Sequence, residues 1–287
     1  MPRSVAPARP QRTRRMPAVL TALLTAAMAT ATPAAAAPAP APEHPRTTPR
    51  VSPADPHGAW AGYSTGQTAT RQRGPAQIPA GALAGTDVSG HQGTVDWPAA
   101  HAAGARFAYV KATEGTDFRS DSFRSQYDGA LAAGMVRGAY HFALPNSSSG
   151  AQQANFFVDN GGMWVPDGRT LPGVLDIEHN PYGPTCYGLD PAAMSGWLAE
   201  FSNTYHARTG RFPVIYTTAS WWNRCTGANP DFAANNPLWV ARYAPEIGQL
   251  PAGWNFHTFW QHNDTGPLPG GQDVFNGNLE QLIAFAG

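Results

Sequence analysis

Two acids share the end of one apolar run in this chain. The stretch "GVLDIEHN", residues 173–180, places Asp176 and Glu178 two positions apart. Because side chains alternate along a strand, both carboxyl groups would point to the same face of a sheet. Like charges held close together raise the pKa of at least one group, which keeps one acid protonated beside an ionised neighbour. Such a pair can donate a proton and stabilise a developing positive charge.

Two further acids lie near the ends of predicted strands. Asp87 is in "GTDVSG", the first predicted strand, and Asp273 is in "QDVFNG", the last. In a closed barrel the first and last strands are neighbours, so carboxylates distant in sequence can meet. Four carboxyl groups around one cavity suit the cleavage of a glycosidic bond, in which one acid protonates the leaving oxygen and the others support the charge at the sugar carbon.

The elements that must position these acids can be read from alternating apolar runs and helical stretches. The eight predicted strands are "GTDVSG", "RFAYVKA", "VRGAYHF", "GVLDIE", "FPVIYTT", "LWVARY", "HTFWQH" and "QDVFNG", and the main predicted helices are "DSFRSQYDGALAAG", "GAQQANFFVDNGG" and "AAMSGWLAEFSNTYHARTG". Strands alternating with helices favour parallel pairing. After Tyr243 the gaps are short and rich in proline, so the helical rhythm stops. We therefore expect an α/β, TIM-like barrel with an incomplete helical ring, (β/α)5(β)3.

Other side chains at the predicted strand ends could bind a sugar. Aromatic rings with polar rims stack on sugar rings, although rings in such runs are also common in cores. The aromatic candidates at strand ends are Tyr140, Tyr216, Trp239, Tyr243 and Trp260. The substrate-binding set that we expect is Tyr140, Phe142, Tyr216, Trp239, Tyr243 and Gln261.

We expect neither a metal nor a cofactor. His141, His179, His257 and His262 show no H-E-x-x-H or comparable spacing, so they are interpreted as structural histidines. Lys111 and Glu114 in "VKATEG" form either an ion pair at the barrel mouth or an ordinary strand end and loop. Cys186 and Cys225 are the two cysteines of the chain, and we expect them to form one disulfide, as in exported proteins.

The N-terminal part of the chain differs from the rest. Residues 1–36 contain five arginines, no acid, an apolar stretch and A-x-A cleavage sites, which predicts a secretory signal peptide and an extracellular protein. Residues 37–84 are rich in proline and alanine, so we expect a disordered linker or pro-segment, with the catalytic domain at 85–287. Without residues 1–36 the chain carries 14 basic and 19 acidic residues, which argues against nucleic-acid binding. After signal cleavage we expect a monomer without membrane association.

An ordered set of motifs resembles one enzyme family. The blocks "GTDVSGHQGTVDW", "FAYVKATEGTDFRSDSF", "GAYHF", "LDIE", "FPVIYTT", "LWVARY" and "FWQH" are similar to those of glycoside hydrolase family 25, the Ch-type lysozymes. The resemblance implies an N-acetylmuramidase that cuts the β-1,4 bond between N-acetylmuramic acid and N-acetylglucosamine in peptidoglycan. It also implies that Glu178 is the proton donor and that Asp87, Asp176 and Asp273 are the family's other acids.

Several alternatives remain open at this point. The spacing of Asp176 and Glu178 fits a retaining, an inverting or a substrate-assisted second step, and we favour the last, with Asp176 orienting the acetamido group. Two other functions are a barrel glycosidase that acts on another N-acetylglucosamine polysaccharide such as chitin, and an inactive wall-binding module.

Overall fold

The computed structural model describes residues 57–63, 65 and 76–287, which all belong to one compact unit. The predicted signal peptide lies outside the described residues, as does most of the predicted linker. The strands are β1 Leu83–Val88, β2 Phe107–Glu114, β3 Phe118–Arg119, β4 Val136–Phe142, β5 Val174–Asp176, β6 Val214–Thr217, β7 Leu238–Ala241, β8 Phe259–Asn263 and β9 Gly271–Phe275.

Eight of these strands close into a barrel, which confirms the predicted fold class. The order around the sheet is β1-β9-β8-β7-β6-β5-β4-β2, and β1 also pairs with β2. From β1 through β2 and β4 to β8 every neighbouring pair is parallel, whereas β9 runs antiparallel to both β8 and β1. The two-residue β3 pairs with β2 outside the ring. All eight predicted strands are therefore present, and the last one is reversed.

The helices cover one part of the barrel. They are α1 Trp97–Ala102, α2 Phe123–Ala132, α3 Gly150–Phe157, α4 Pro191–Thr209, α5 Ala219–Cys225 and α6 Leu279–Ala286. The longest, α4, is capped by the Asp190 side chain and ends at Gly210, which adopts a left-handed φ of 76°. Residues 242–258, between β7 and β8, contain no helix, as their prolines predict.

The core has two layers. Inside the barrel, large side chains fill the axis: Phe107, Tyr109, Tyr140, Tyr216, Trp239 and Phe259. Between strands and helices a second layer contains the outward-facing residues of the same strands, such as Val110, Leu175 and Ile215. Trp260 belongs to this outer layer and donates its indole N–H to the Arg242 carbonyl at 2.9 Å. The expectation that Trp260 faces a sugar is wrong, because its neighbour Gln261 occupies the inward face of β8.

The N-terminal boundary differs from the expected one. The first strand begins at Leu83, and residues 57–63 lie against the barrel, with Ala59 and Ala61 only 1% and 2% exposed. A disordered linker over residues 37–84 therefore does not describe these residues. The small residues Ala59, Ala61 and Gly62 allow the backbone to approach the barrel closely, and main-chain groups of Ala61 and Gly62 make the polar contacts there.

A disulfide ties the loop after β5 to the end of α5. Cys186, in the loop after β5, is bonded to Cys225, the last residue of α5, with a Cα–Cα distance of 5.4 Å. This confirms the predicted pairing. In the part of the chain that the structure describes, no helix combines the length and apolar character needed to span a membrane.

Candidate active site

The four predicted acids are buried at one end of the barrel. Asp176 is the last residue of β5 and Glu178 follows two positions later, while Asp87 lies near the end of β1. The side chains of Asp87, Asp176, Glu178 and Asp273 are 3%, 0%, 0% and 1% exposed. Because burial of a charge is costly, an arrangement of four buried acids indicates function rather than stability.

Asp176 has a carboxyl group without local partners. Among the described residues, neither of its oxygens has a hydrogen-bond partner. Burial raises the pKa of Asp176 well above its ordinary value, and the negative charge of Glu178 raises it further, while Lys111 opposes the shift. The oxygens of Asp176 are buried and have no donor among the described residues, so an amide or hydroxyl group of a ligand that reached them would displace no protein partner.

Gln261 connects several strands at the barrel axis. Its Oε1 accepts hydrogen bonds from the hydroxyl groups of Tyr216 at 2.8 Å and Tyr243 at 3.0 Å. Its Nε2 donates to Oδ2 of Asp87 at 2.7 Å. Burial raises the pKa of Asp87 to about 6, even though the Gln261 bond acts in the opposite direction. The amide thus fixes the orientation of the Asp87 carboxyl group.

Asp273 lies one layer deeper than Asp87. Because β9 is antiparallel, Asp87 pairs with Gly271 while Asp273 pairs with Gly85. The indole N–H of Trp239 donates to Oδ1 of Asp273 at 3.0 Å. Burial raises the pKa of Asp273 well above its ordinary value, and the adjacent Asp87 carboxyl raises it further. Asp87 and Asp273 therefore form an acid pair across the junction that closes the barrel.

Lys111 and Glu114 form a buried ion pair, which decides between the two interpretations left open by the sequence. Lys111 Nζ donates to Oε2 of Glu114, and both side chains are inaccessible to solvent. The Tyr182 hydroxyl donates to Oε1 of the same glutamate at 2.7 Å. Sequence reasoning missed Tyr182, because its loop, "NPYGPTC", contains no strand or motif that would place it at the mouth.

The predicted substrate-binding residues are brought together, but they are covered. Tyr140, Phe142, Tyr216, Trp239, Tyr243 and Gln261 are all buried. Phe142, Asp176, Tyr216 and Trp239 are consecutive register partners across β4 to β7, so they form one layer at this end of the barrel. None of these rings presents an open stacking face in this structure, and Ala61 packs in the same buried cluster as Tyr140, Tyr216 and Trp239.

The buried histidine of β4, His141, is structural. His141 lies between Oγ1 of Thr113 at 2.8 Å and Oε1 of Gln153 at 2.9 Å. Burial lowers its pKa to about 4, so it is neutral at ordinary pH. Across residues 57–63, 65 and 76–287, no group of three or more His, Cys, Asp or Glu side chains is arranged to hold a metal ion.

Known proteins match this chain over its barrel. The family model described as "Glycosyl hydrolases family 25" matches residues 86–271. The chain is 49% identical to Lysozyme M1 of Streptomyces globisporus, over 75% of this chain and 74% of the relative. It is also 49% identical to an N,O-diacetylmuramidase of Arthroderma benhamiae, over 72% of this chain and 88% of the relative.

A solved structure gives the same result at the level of the fold. The muramidase from Acremonium alcalophilum superposes with a TM-score of 0.69 at 55% identity, over 71% of this chain and 98% of that chain. Its aligned part corresponds in length to the barrel of this protein, from β1 to the end of α6. With its acids at the mouth of a matching barrel, this chain belongs to glycosyl hydrolases family 25.

Proposed function

We propose that the protein is a lysozyme that hydrolyses the β-1,4 bond between N-acetylmuramic acid and N-acetylglucosamine in peptidoglycan. The observation that carries this proposal is the pair formed by Asp176 and Glu178, which are fully buried at the mouth, together with the unpartnered oxygens of Asp176. The names of the relatives, lysozyme and N,O-diacetylmuramidase, support the same bond specificity.

Glu178 is the general acid in this proposal. It follows β5 at the end of the barrel where side chains from several strands converge. Its proton passes to the glycosidic oxygen as the bond to the anomeric carbon breaks, so that the N-acetylglucosamine side leaves as a neutral alcohol. Glu178 then deprotonates the incoming water.

Asp176 acts on the N-acetylmuramic acid residue, which contributes the anomeric carbon of the bond that is cleaved. Burial is the main cause of the raised pKa of Asp176, and the charge of Glu178 adds to it. A proton on Glu178 removes the second contribution, and a hydrogen-bond donor of the substrate offsets the first, so that Asp176 can hold negative charge. An acetamido N–H is a suitable partner for its unpartnered oxygens. We propose that Asp176 orients this group so that the acetamido oxygen attacks the anomeric carbon. Attack by Asp176 itself or by water is the alternative.

The second acid pair supports the first. Asp87 is held by Gln261 near the cleavage site, and Asp273 is held by Trp239 one layer below it, so the two carboxyl groups are fixed in place and can share one negative charge. Preorganised groups of this kind stabilise the charge that develops in the transition state. Tyr140, Phe142, Tyr216 and Tyr243 then line the groove that receives the sugars.

We further propose that the protein acts outside the cell. The signal peptide at 1–36, the single disulfide and the wall substrate agree with export. A monomer with no nucleic-acid partner and no membrane association after signal cleavage fits the acidic balance of the remaining chain.

Mass spectrometry of digested peptidoglycan tests this function. Purified peptidoglycan and chitin are incubated with the protein under the same conditions, and the soluble products are reduced before analysis. We expect muropeptides with a reducing N-acetylmuramic end from peptidoglycan and no soluble products from chitin. Products with a reducing N-acetylglucosamine end, or release from chitin alone, would contradict the proposed bond specificity. Binding to peptidoglycan without products would indicate an inactive wall-binding module.

A further inference from the structure

A short segment ahead of the barrel lies over the acids. In residues 57–63, here called the cover segment, the amide of Gly62 donates to Oε1 of Glu178 at 2.9 Å. The amide of Ala61 donates to the Tyr140 hydroxyl at 3.4 Å, and the Ala61 carbonyl accepts from Nε2 of Gln261 at 3.2 Å. Three consecutive main-chain groups thus engage three side chains to which we assign proton donation or substrate binding.

The first half of the cover segment is held by the edge of the mouth. Lys111 Nζ donates to the carbonyl oxygens of Ala59 and His57, the latter at 3.1 Å. The amide of Ala59 donates to the Tyr182 hydroxyl at 3.2 Å. The His91 ring donates to the Gly58 carbonyl at 2.7 Å. The segment is therefore fixed at both ends by polar side chains of the barrel.

The barrel leaves no room for a side chain at Gly62 of the cover segment. Gly62 is buried and has a φ of +88°, which favours glycine. A Cβ at this position would lie 2.5 Å from Oε1 of Gln261 and closer still to the Tyr243 hydroxyl. The mouth accepts only main chain here.

The peptide groups of the cover segment offer the same hydrogen-bonding groups as the N-acetyl group of an amino sugar. An N-acetyl group is a secondary amide, with one N–H donor and one carbonyl acceptor, as is each peptide unit of the cover segment. The Glu178 oxygen that would protonate a glycosidic oxygen instead accepts an amide hydrogen. A glycan cannot reach Glu178 while Gly62 holds this position.

We propose that the cover segment is an intramolecular inhibitor that occupies the glycan cleft as a peptide mimic of the substrate, and that hydrolysis of the chain between this segment and β1 releases the active enzyme. Residues 77–81, which precede β1, are exposed and so are accessible to an endopeptidase. Water adds across one peptide bond there and leaves a carboxylate and an amine. The segment then becomes a separate peptide and loses the effective concentration, about millimolar, that a short tether provides.

This inference rests on the proposed function, and the experiment separates the two. A recognition sequence for a site-specific protease is inserted between Ala80 and Gly81 in the full chain, and the clearing of a peptidoglycan suspension is measured before and after cutting. We expect the rate to rise at least about tenfold. A synthetic peptide of residues 57–63 added to the cut protein should lower the rate again, whereas the same peptide with Gly62→Val should not.

Point variants of the uncut chain provide an independent test. Gly62→Val should displace the cover segment and raise the rate without cutting, because its side chain cannot fit beside Gln261 and Tyr243. Ile78→Ser is the matched control, since Ile78 is 45% exposed and lies between the cover segment and β1. It should leave the rate unchanged.

Each remaining outcome decides one of the two proposals. Equal rates before and after cutting would overturn the inhibitor and leave the lysozyme intact, and a lower rate after cutting would show that the segment is a structural part of the site. If neither form clears the suspension, the proposed function fails. In that case, inhibition by the cover segment is tested by a binding measurement, in which the synthetic peptide of residues 57–63 carries a fluorescent dye and is titrated with the cut protein. Saturable binding that Gly62→Val abolishes would support it, and absence of binding would overturn it.

Discussion

Gln261 and Asp87 are hydrogen-bonded across an intervening strand. Gln261 is in β8 and Asp87 is in β1, and β9 lies between them in the sheet. The 2.7 Å bond passes over Gly271 of β9, where a Cβ would overlap Oδ2 of Asp87 and lie 2.7 Å from Nε2 of Gln261. The absence of a side chain at Gly271 therefore allows the two strands to share this contact.

Gly271→Ala should break that relationship. The added methyl group forces Asp87 and Gln261 apart, and displacements of about 1 Å near a reacting centre cost roughly 100-fold in rate. Overpacking should also lower the free energy of unfolding by about 1–3 kcal/mol. Gly196→Ala in α4 is the control, because a Cβ there meets nothing within 4 Å. It should retain full activity and gain roughly 0.5–1 kcal/mol of stability. A fully active Gly271→Ala protein would contradict the role of the contact.

Asp87→Asn should stabilise the protein and lower its activity, and the gain in stability should depend on pH. The pKa of Asp87 is raised from 3.8 to about 6 in the folded protein, so its contribution to stability is full below pH 3.8 and is lost as the pH rises through about 6. An asparagine carries no charge and can still accept from Gln261. The free energy of unfolding of the variant should equal that of the wild type near pH 3.5 and should be about 3 kcal/mol higher near pH 8. Its activity should be lower than that of the wild type.

Denaturant unfolding at a series of pH values measures this difference. Asp121→Asn is the control, because Asp121 is exposed. It should show no comparable gain between pH 3.5 and 8. An Asp87→Asn protein whose stability tracks that of the wild type at every pH would show that the Asp87 carboxyl is not destabilised by burial.

Removal of the disulfide should weaken the fold without altering the acids. The bond between Cys186 and Cys225 closes a loop with a sequence separation of 39, which corresponds to about 3–4 kcal/mol in the chain-entropy description. The free energy of unfolding of the Cys186→Ala/Cys225→Ala protein should be lower by this amount, so its unfolding midpoint should move to a lower denaturant concentration. Wild-type protein in strong reductant should behave like the variant. Identical unfolding of oxidised and reduced wild-type protein would contradict the stabilising role.

Much of the fold could be predicted because its signals are local. Apolar runs gave the eight barrel strands, and closure of the barrel correctly brought Asp87 close to Asp273. Alternation along β8 could also have excluded Trp260, because Gln261 and Trp260 are adjacent and cannot both face the axis. The short helices α1, α5 and α6 have six to eight residues, which is too few for a clear periodic signal.

The cover segment was not predictable from composition. Its contacts with Glu178, Tyr140 and Gln261 use main-chain groups, which every residue carries, so the glycine- and alanine-rich sequence resembles a linker. Tyr182 was missed for a related reason, since a loop that crosses the mouth has no periodicity to place its side chains. Positions set by long-range backbone contacts require the structure.

The roles of Glu178 and Asp176 can be separated by the leaving group. Glu178→Gln keeps the shape of the side chain but has no proton to transfer, which should lower the rate on peptidoglycan by about 10² to 10⁴. A nitrophenyl glycoside needs little protonation, so this variant should recover most of its activity on it. Asp176→Asn should be impaired on both substrates, because the charge at the sugar develops with either leaving group. Glu200→Gln, an exposed glutamate in α4, is the control.

The role of Glu178 as the acid is tested most directly by the ratio of the rate on the nitrophenyl glycoside to the rate on peptidoglycan. This ratio is measured for wild type, Glu178→Gln and Asp176→Asn in the same form of the chain. If Glu178 is the acid, this ratio rises by about 10² or more for Glu178→Gln and stays near the wild-type value for Asp176→Asn. A rise for Asp176→Asn instead, or clearing of peptidoglycan by Glu178→Gln at the wild-type rate, would show that Glu178 is not the acid.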